Sequence, residues 1–577
     1  MERSAVLHIP MSQYAYGTEE THVTIRLRAK GNDLKSVFLY YGDRACRLTP
    51  VIFTKVEMAR VANTELYDYF EAELDGAYKR LCYYFELSDG HETVLYYGDQ
   101  FCDEPVDDRS EYYQLPFNHR ADLITPPEWA QDAVIYNIFP DSFATSGRFL
   151  SGEESVKAFG GAEVRGKLGG TIGGITQNAD YLKSLGVNAI YINPIFAAGE
   201  YHKYDILDYF KIDPCFGSNE DFRELVVRFH ENGIRVIIDG VFNHCGWKFF
   251  AFEDVVQKGE ASAYKDWFYG LTFPVVRPDD PEAYPNYECF GYERLMPKLN
   301  LANPETAEYF CSVGKYWIEN YDIDGWRLDV ASEVNDGFWR AFYRTVKAAK
   351  PDAILIGEVW ESAGHWLDGT IFDSAMNYDF RKHCRRFFAE RTIDAAEFDV
   401  RVTDMLMRYR RQTAFAQLNI LDSHDVSRFL SLCGGDREQY EAALLFQMTF
   451  PGMPSVFYGD ECGILGLLEK DYRRAMDWES SDSLFTFFKE VISLRKNEEL
   501  LRRGNFRTVR AKRGSRVFQY ERYRNAQRIR IVINMEEQEF SLSEESVCGQ
   551  ILLEKGRTGR KLAPLGYVVS KSCTAEK

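Results

Sequence analysis

Several things are missing from this chain. Its 12 cysteines include no C-x-x-C pair. In a short secreted protein an even count would imply disulfides, but in 577 residues it reads as reduced, mostly buried thiols. No run of about 18 apolar residues occurs, so no membrane span is expected. The opening stretch, MERSAVLHIPMSQYAYGTEE, has no long apolar segment behind a basic one. The expected compartment is therefore the cytoplasm. Positive charge is short: 69 Lys and Arg face 88 Asp and Glu, a formal net charge of −19. Such a chain repels a phosphate backbone, which argues against nucleic acid as a partner and for a neutral substrate. Internal repeats and low-complexity segments are also missing.

Aromatic residues are plentiful, with 36 Tyr and 41 Phe in a chain that is 15% aromatic. They can build cores, and they are also the faces on which sugars stack. The length exceeds what one ordinary core supports, so three or four domains are expected.

Residues 1–122 read as β. THVTIRLRAK, SVFLYYGD, YDYFEAEL and KRLCYYFEL alternate between Gly and Asp punctuation at the spacing of a β-sandwich. LPFNHRADLITPPEW reads as a linker. From about residue 130, strand-like and helix-like segments alternate: AVIYNIF, VNAIYINPIF, IRVIIDGVFN, IDGWRLDV, AILIGEVW, FAQLNILDSHD and PSVFYGDE are the strands. About eight such units predict a parallel (β/α)8 TIM barrel over 123–243 and 301–503. Residues 244–300 break the rhythm and predict an inserted, aromatic-rich subdomain. RVFQYERYR, RIRIVINM and QILLEK predict a C-terminal all-β domain over 504–577, expected to be a β-sandwich.

In such a barrel the polar residues at strand C-terminal ends face the active-site mouth. Here these are Asp239, Asn243 and His244, then Arg327 and Asp329, then Glu358, then His424 and Asp425. In GWRLDV, Arg327 and Asp329 are expected on one face of a strand and Trp326, Leu328 and Val330 on the other. Taken singly, each residue has an ordinary structural explanation: a buried ion pair, a loop cap, a solvated strand end. Together they converge several carboxylates, and glycoside hydrolysis needs two carboxyl groups across the scissile bond.

DGVFNH (239–244), GWRLDVASE (325–333), GEVW (357–360) and LDSHD (421–425) follow the order found in the α-amylase family, glycoside hydrolase family 13. With YINPIF, HKYD, MPKLN and GMPSVFYGDE, the chain resembles the neopullulanase, cyclomaltodextrinase and maltogenic amylase group over about 130–500. Residues 1–122 are similar to carbohydrate-binding module family 34. The resemblance implies a retaining α-glucan hydrolase for α-1,4 bonds of cyclodextrins, maltooligosaccharides and pullulan, with α-1,6 bonds left open and transglycosylation as a side activity. It implies Asp329 as nucleophile, Glu358 as acid and base, and Asp425 as holder of sugar hydroxyls. Arg327 would orient Asp329 and keep it ionised. His244, His424, Tyr204, His202, Trp360 and Arg473 would contact sugar, and Asp239 and Asn243 would support the frame. One or two aromatics among Trp247, Phe249, Phe250, Trp267, Phe268, Tyr269, Phe290 and Tyr292 would face sugar.

Relatives often build a calcium site near 139–171, where this chain has Thr145, Ser146, Gly147, Arg148 and Thr171. Calcium wants several oxygen ligands including carboxylates, so that site is expected to be absent and no cofactor is expected. The resemblance also implies a homodimer through the N-terminal domain. The alternatives are a non-catalytic glucan-binding protein and a glucosyl isomerase or transferase on the same scaffold.

Overall fold

The computed structural model describes residues 1–577 apart from 77, 99, 147–154, 158–162, 166, 481–482, 548 and 574–577. The chain forms two compact units. One comprises Met1–Thr125, Arg391–Phe415 and Gly504–Lys577, and the other Pro126–Glu390 and Ala416–Arg503.

The second unit is a closed barrel of eight parallel strands: β1 (Ile135–Ile138), β2 (Ala189–Ile192), β3 (Arg235–Gly240), β4 (Gly325–Leu328), β5 (Ile354–Gly357), β6 (Ser374–Asn377), β7 (Leu418–Ile420) and β8 (Met453–Phe457). Neighbours in sequence are neighbours in space, and β8 pairs back onto β1. Both faces of these strands are covered, so their runs are nearly continuous in apolar residues rather than alternating. Tyr191, Ile237, Ile356, Met376, Leu418 and Met453 join in one buried cluster. On β4, Trp326 faces the other way, with its ring 5.7 Å from Phe242 and 6.2 Å from Phe342.

Local signals set the connecting helices. Ser218 caps helix Asn219–Glu231 in a reciprocal capping box with Asp221, and Phe222, Leu225, Val226 and Phe229 make its buried stripe. Asn303 caps Pro304–Tyr321, whose proline occupies the first turn, where no N–H is required. An antiparallel pair, Phe196–Ala198 with Ile206–Ile212, projects after β2 and carries the turn containing Tyr201, His202 and Tyr204. Asp205 fastens that turn by accepting from the Gly199 and Glu200 amides, each at 3.0 Å. In the insert, Phe249, Phe252, Trp267 and Phe268 are buried, while Phe250 and Tyr292 are exposed.

In the first unit, residues 15–115 form two antiparallel sheets around a shared core that includes Val23, Ile25, Leu27, Leu39, Phe70 and Phe85. The C-terminal residues differ from the expected sandwich. They form one six-stranded sheet, because the 13-residue strand Lys561–Cys573 carries partners on both edges. Helix Ala395–Met407, from a segment expected in the barrel, packs on this sheet: Phe398 meets Phe518 at 5.2 Å, and Thr508 donates to Asp399. The helix gives apolar cover at Phe518, while Val517, Val532, Leu542, Leu562 and Val568 make a separate buried cluster among the strands.

Candidate active site

Arg327 is the centre of the charged cluster at the barrel mouth. It lies on β4, is fully buried, and its guanidinium serves both edges of the site. Nη1 donates to Asp239 Oδ1 at 3.0 Å and to Asp329 Oδ1 at 2.9 Å. Nη2 lies 2.8 Å from Glu358 Oε1 and 4.0 Å from Asp425 Oδ2. One cation thus faces four carboxyl groups from the ends of β3, β4, β5 and β7.

This crowding changes the expected electrostatics. Burial, then the Glu358 carboxylate, push the Asp329 carboxyl well above the usual carboxylate range, and Arg327 pulls it down without prevailing. Arg327 therefore does not by itself keep Asp329 ionised. A guanidinium shared among four carboxylates cannot neutralise each. Asp425 goes the other way. Burial would raise it, but His424 at 2.8 Å, Arg473 at 3.1 Å and Arg327 hold it below the usual range.

GWRLDV departs from a plain strand at its end. β4 stops at Leu328, and Val330 adopts a left-handed backbone (φ 44°). A branched side chain rarely occupies that region. Val330 is therefore not on an outward strand face; its N–H points to Glu358 and donates to Oε2 at 2.9 Å. Trp360 Nε1 and Tyr378 OH donate to Glu358 Oε1 at 3.2 and 3.4 Å. The Trp360 ring, 54% exposed, stacks on Tyr378 with centroids 4.2 Å apart and offers a bare face beside Glu358.

A polar web holds the opposite wall. Tyr191 OH donates to Asp239 Oδ2 at 2.5 Å, and Tyr204 OH donates to it at 3.2 Å. Asn193 Nδ2 reaches Tyr191 OH at 3.0 Å, Tyr204 OH at 3.3 Å and His424 Nδ1 at 3.0 Å, while Asn193 Oδ1 accepts from Asn137. The Tyr204 and His424 rings are parallel within 9°. His202 Nδ1 accepts from the Tyr204 amide at 3.1 Å. Burial lowers His202 to about 3, helped by the nearby Arg473 and Lys203 charges. Burial, then Lys298, lower His244 likewise to about 3. Both imidazoles are neutral near pH 7. His244 Nε2 is buried with no hydrogen-bond partner among the described residues, and its ring stacks on Phe290 at 5.0 Å. Lys298 of MPKLN donates to Asn243 Oδ1 and to the Glu333 carbonyl.

Arg473 reaches the cluster with its donors already engaged: Nε to the His424 carbonyl at 2.6 Å, Nη1 to Glu469 at 2.7 Å and Tyr201 OH at 3.1 Å, and Nη2 to Asp425 at 3.1 Å. It braces Asp425 rather than presenting a free hand to a ligand. The residues named from sequence all come to this end of the barrel. Asn193, Tyr191, Tyr378 and the Val330 amide were missed. The first two lie in or beside β2, where polar groups at a buried strand end were the available signal. Where relatives often build a calcium site, Thr171 caps helix Ile172–Gln177 by accepting from the Gly174 amide at 3.0 Å, with Ser146 Oγ 3.2 Å away. Gly147 and Arg148 lie outside the described residues.

The family model described as "Alpha amylase, catalytic domain" matches residues 137–480, and "Alpha amylase, N-terminal ig-like domain" matches 1–119. The chain belongs to the α-amylase family. This family member is 42% identical to Neopullulanase 2 of Thermoactinomyces vulgaris over 92% of this chain and 90% of that one. It is 39% identical to the intracellular maltogenic amylase of Bacillus subtilis (strain 168), over 87% and 85%. Among solved structures, a cyclomaltodextrinase superposes with a TM-score of 0.89 at 36% identity, covering 99% of this chain and 98% of that one.

Proposed function

We propose that this α-amylase family enzyme hydrolyses α-1,4 bonds of cyclodextrins, maltooligosaccharides and pullulan with retention, and can also act on α-1,6 bonds. One observation carries the reading: Asp329 and Glu358 are held on the two ends of one buried guanidinium, with Asp425 beside them. With the proton on Glu358 and Asp329 ionised, Asp329 attacks the anomeric carbon as Glu358 passes that proton to the leaving oxygen, so the glycosidic C–O bond breaks and a glycosyl ester forms. Glu358 then takes a proton from water, the water oxygen attacks that carbon, and the Asp329 carboxylate is released. A sugar hydroxyl in place of water gives transglycosylation. Asp425 and the free Nε2 of His244 hold ring hydroxyls, and the exposed face of Trp360 receives the leaving sugar.

The reaction needs no metal in this reading, and Thr171 acts as a helix cap where related enzymes often build a calcium site. The thiols of Cys82, Cys245, Cys384 and Cys433 are buried, which supports a reducing, cytoplasmic setting. No helix among the described residues is long and apolar enough to cross a membrane. A homodimer through residues 1–122 completes the proposal.

The test is a substrate panel of β-cyclodextrin, pullulan, soluble starch and maltose with product identification. Glucose, maltose or panose with an α-configured initial product is expected. No turnover of any glucan, or conversion of maltose to trehalose, would overturn the reading.

A further inference from the structure

The short helical turn Phe290–Tyr292 links the site to the outer surface of the insert. Phe290 stacks on His244 inside the cleft, and two residues on, Tyr292 stands 60% exposed. Two residues span at most about 7 Å. Tyr292 meets Tyr284, 76% exposed, with centroids 4.8 Å apart and planes at 84°. Gly291 (φ 53°) and Tyr292 (φ 65°) are both left-handed, a region a tyrosine seldom occupies.

The backbone beneath these bare rings is braced. Asn286 Nδ2 donates to the Thr272 and Pro274 carbonyls, each at 2.8 Å. Arg294 Nη1 donates to the Asp279 carbonyl at 2.7 Å, and the buried Tyr287 donates to the Arg294 carbonyl at 2.6 Å. Rigid aromatic rings on a fixed loop lose little freedom when a ligand lands. Asp279, Asp280, Glu282, Glu288 and Glu293 outnumber Arg277 and Arg294 around the pair in sequence, which disfavours an anionic ligand and suits a neutral one. Rings meeting at a steep angle suit a curling α-linked chain better than a flat ribbon.

We propose that Tyr284 and Tyr292 form an outer platform for an α-glucan chain that leaves the cleft past Phe290. This inference rests on the active-site reading above and names a further contact for long substrates. The platform should therefore matter for long chains and be irrelevant to short ones.

The experiment compares wild type with a Tyr284→Ala/Tyr292→Ala double variant and a Tyr284→Phe/Tyr292→Phe control. KM is measured on maltotriose and on amylose, and mobility is followed in gels containing amylose. The alanine variant should show a KM for amylose raised about tenfold, equivalent to about 1.4 kcal/mol, reduced retardation in the gel, and an unchanged KM for maltotriose. The phenylalanine control should behave as wild type. An unchanged amylose KM in the alanine variant overturns the platform, and so does an equal loss on maltotriose. A changed sedimentation mass in the alanine variant would assign the patch to contact between copies and overturn it too. Wild type that hydrolyses neither substrate refutes the active-site reading instead, while gel retardation still reports on the platform.

Discussion

The Val330 amide donates to Glu358 Oε2 across 2.9 Å from a left-handed backbone. Only the backbone of Val330 makes this bond, so its side chain is dispensable for it. A left-handed L-residue costs about 1–2 kcal/mol, and glycine avoids that while losing about 0.5–1 kcal/mol of its own to chain entropy. Val330→Gly should keep the hydrogen bond, retain kcat/KM within about threefold, and be as stable as wild type or slightly more so. Hydrolysis rates and thermal melts check this. A loss of activity of a hundredfold would show that the isopropyl group, not the amide, matters.

Asp329 should display a conflict between function and stability. Asp329→Asn removes the attacking oxygen, and loss of a nucleophile costs on the order of 10^6 in kcat. Stability should move the other way. The Asp329 carboxyl is raised in the folded state, so above the unfolded value of about 4 the folded chain binds more protons than the unfolded one. Its stabilising contribution is complete below about pH 4 and fades as pH rises toward the raised folded value. A neutral amide at this position carries no such loss. The variant should melt at or above the wild-type temperature at pH 7, with the gap shrinking toward pH 4. A variant that melts well below wild type at pH 7 would contradict the crowding of carboxylates around Arg327.

Much of this site was legible because strand ends in a (β/α)8 barrel are a fixed address. DGVFNH, GWRLDV, GEVW and LDSHD each end a strand, and each delivers its polar residue to the mouth. What sequence could not supply were quantities set by three-dimensional neighbours. The period-2 reading of GWRLDV fails at Val330, because one left-handed residue redirects the chain. Arg473 is expected from sequence to contact sugar, yet Glu469, Tyr201, Asp425 and a carbonyl engage it in space. Residues 391–415 carry helical periodicity like their barrel neighbours, and only their contacts assign them to the terminal β unit.

Asn193 is the clearest omission, and its role can be tested. Its single amide touches Tyr191, Tyr204 and His424, and through them both Asp239 and Asp425. Buried networks of this kind leave several groups unsatisfied when one member is cut. Asn193→Ala should lose about 2–3 kcal/mol of stability. It should also lower kcat about a hundredfold by letting the Tyr204 and His424 rings shift. Denaturant unfolding and steady-state kinetics measure the two effects. Near-normal kcat with lowered stability would make Asn193 a structural residue only.

The proposed absence of calcium gives the last test. If Thr171 acts as a helix cap rather than part of a metal site, its hydroxyl is already committed to the Gly174 amide. A resident ion stabilises the folded state in proportion to the logarithm of its excess over its dissociation constant. Stripping a tight ion would therefore lower the melting temperature by several degrees, at about 2–4 °C per kcal/mol. We expect EDTA to move the melting temperature by less than about 1 °C, with added calcium doing no more. Thr171→Ala should cost about 1 kcal/mol, the usual loss for a missing cap, with or without chelator. A drop of about 5 °C or more on chelation, reversed by calcium, would show that other oxygens between 139 and 171 bind the ion. A chelator-dependent effect of Thr171→Ala would implicate Thr171 itself.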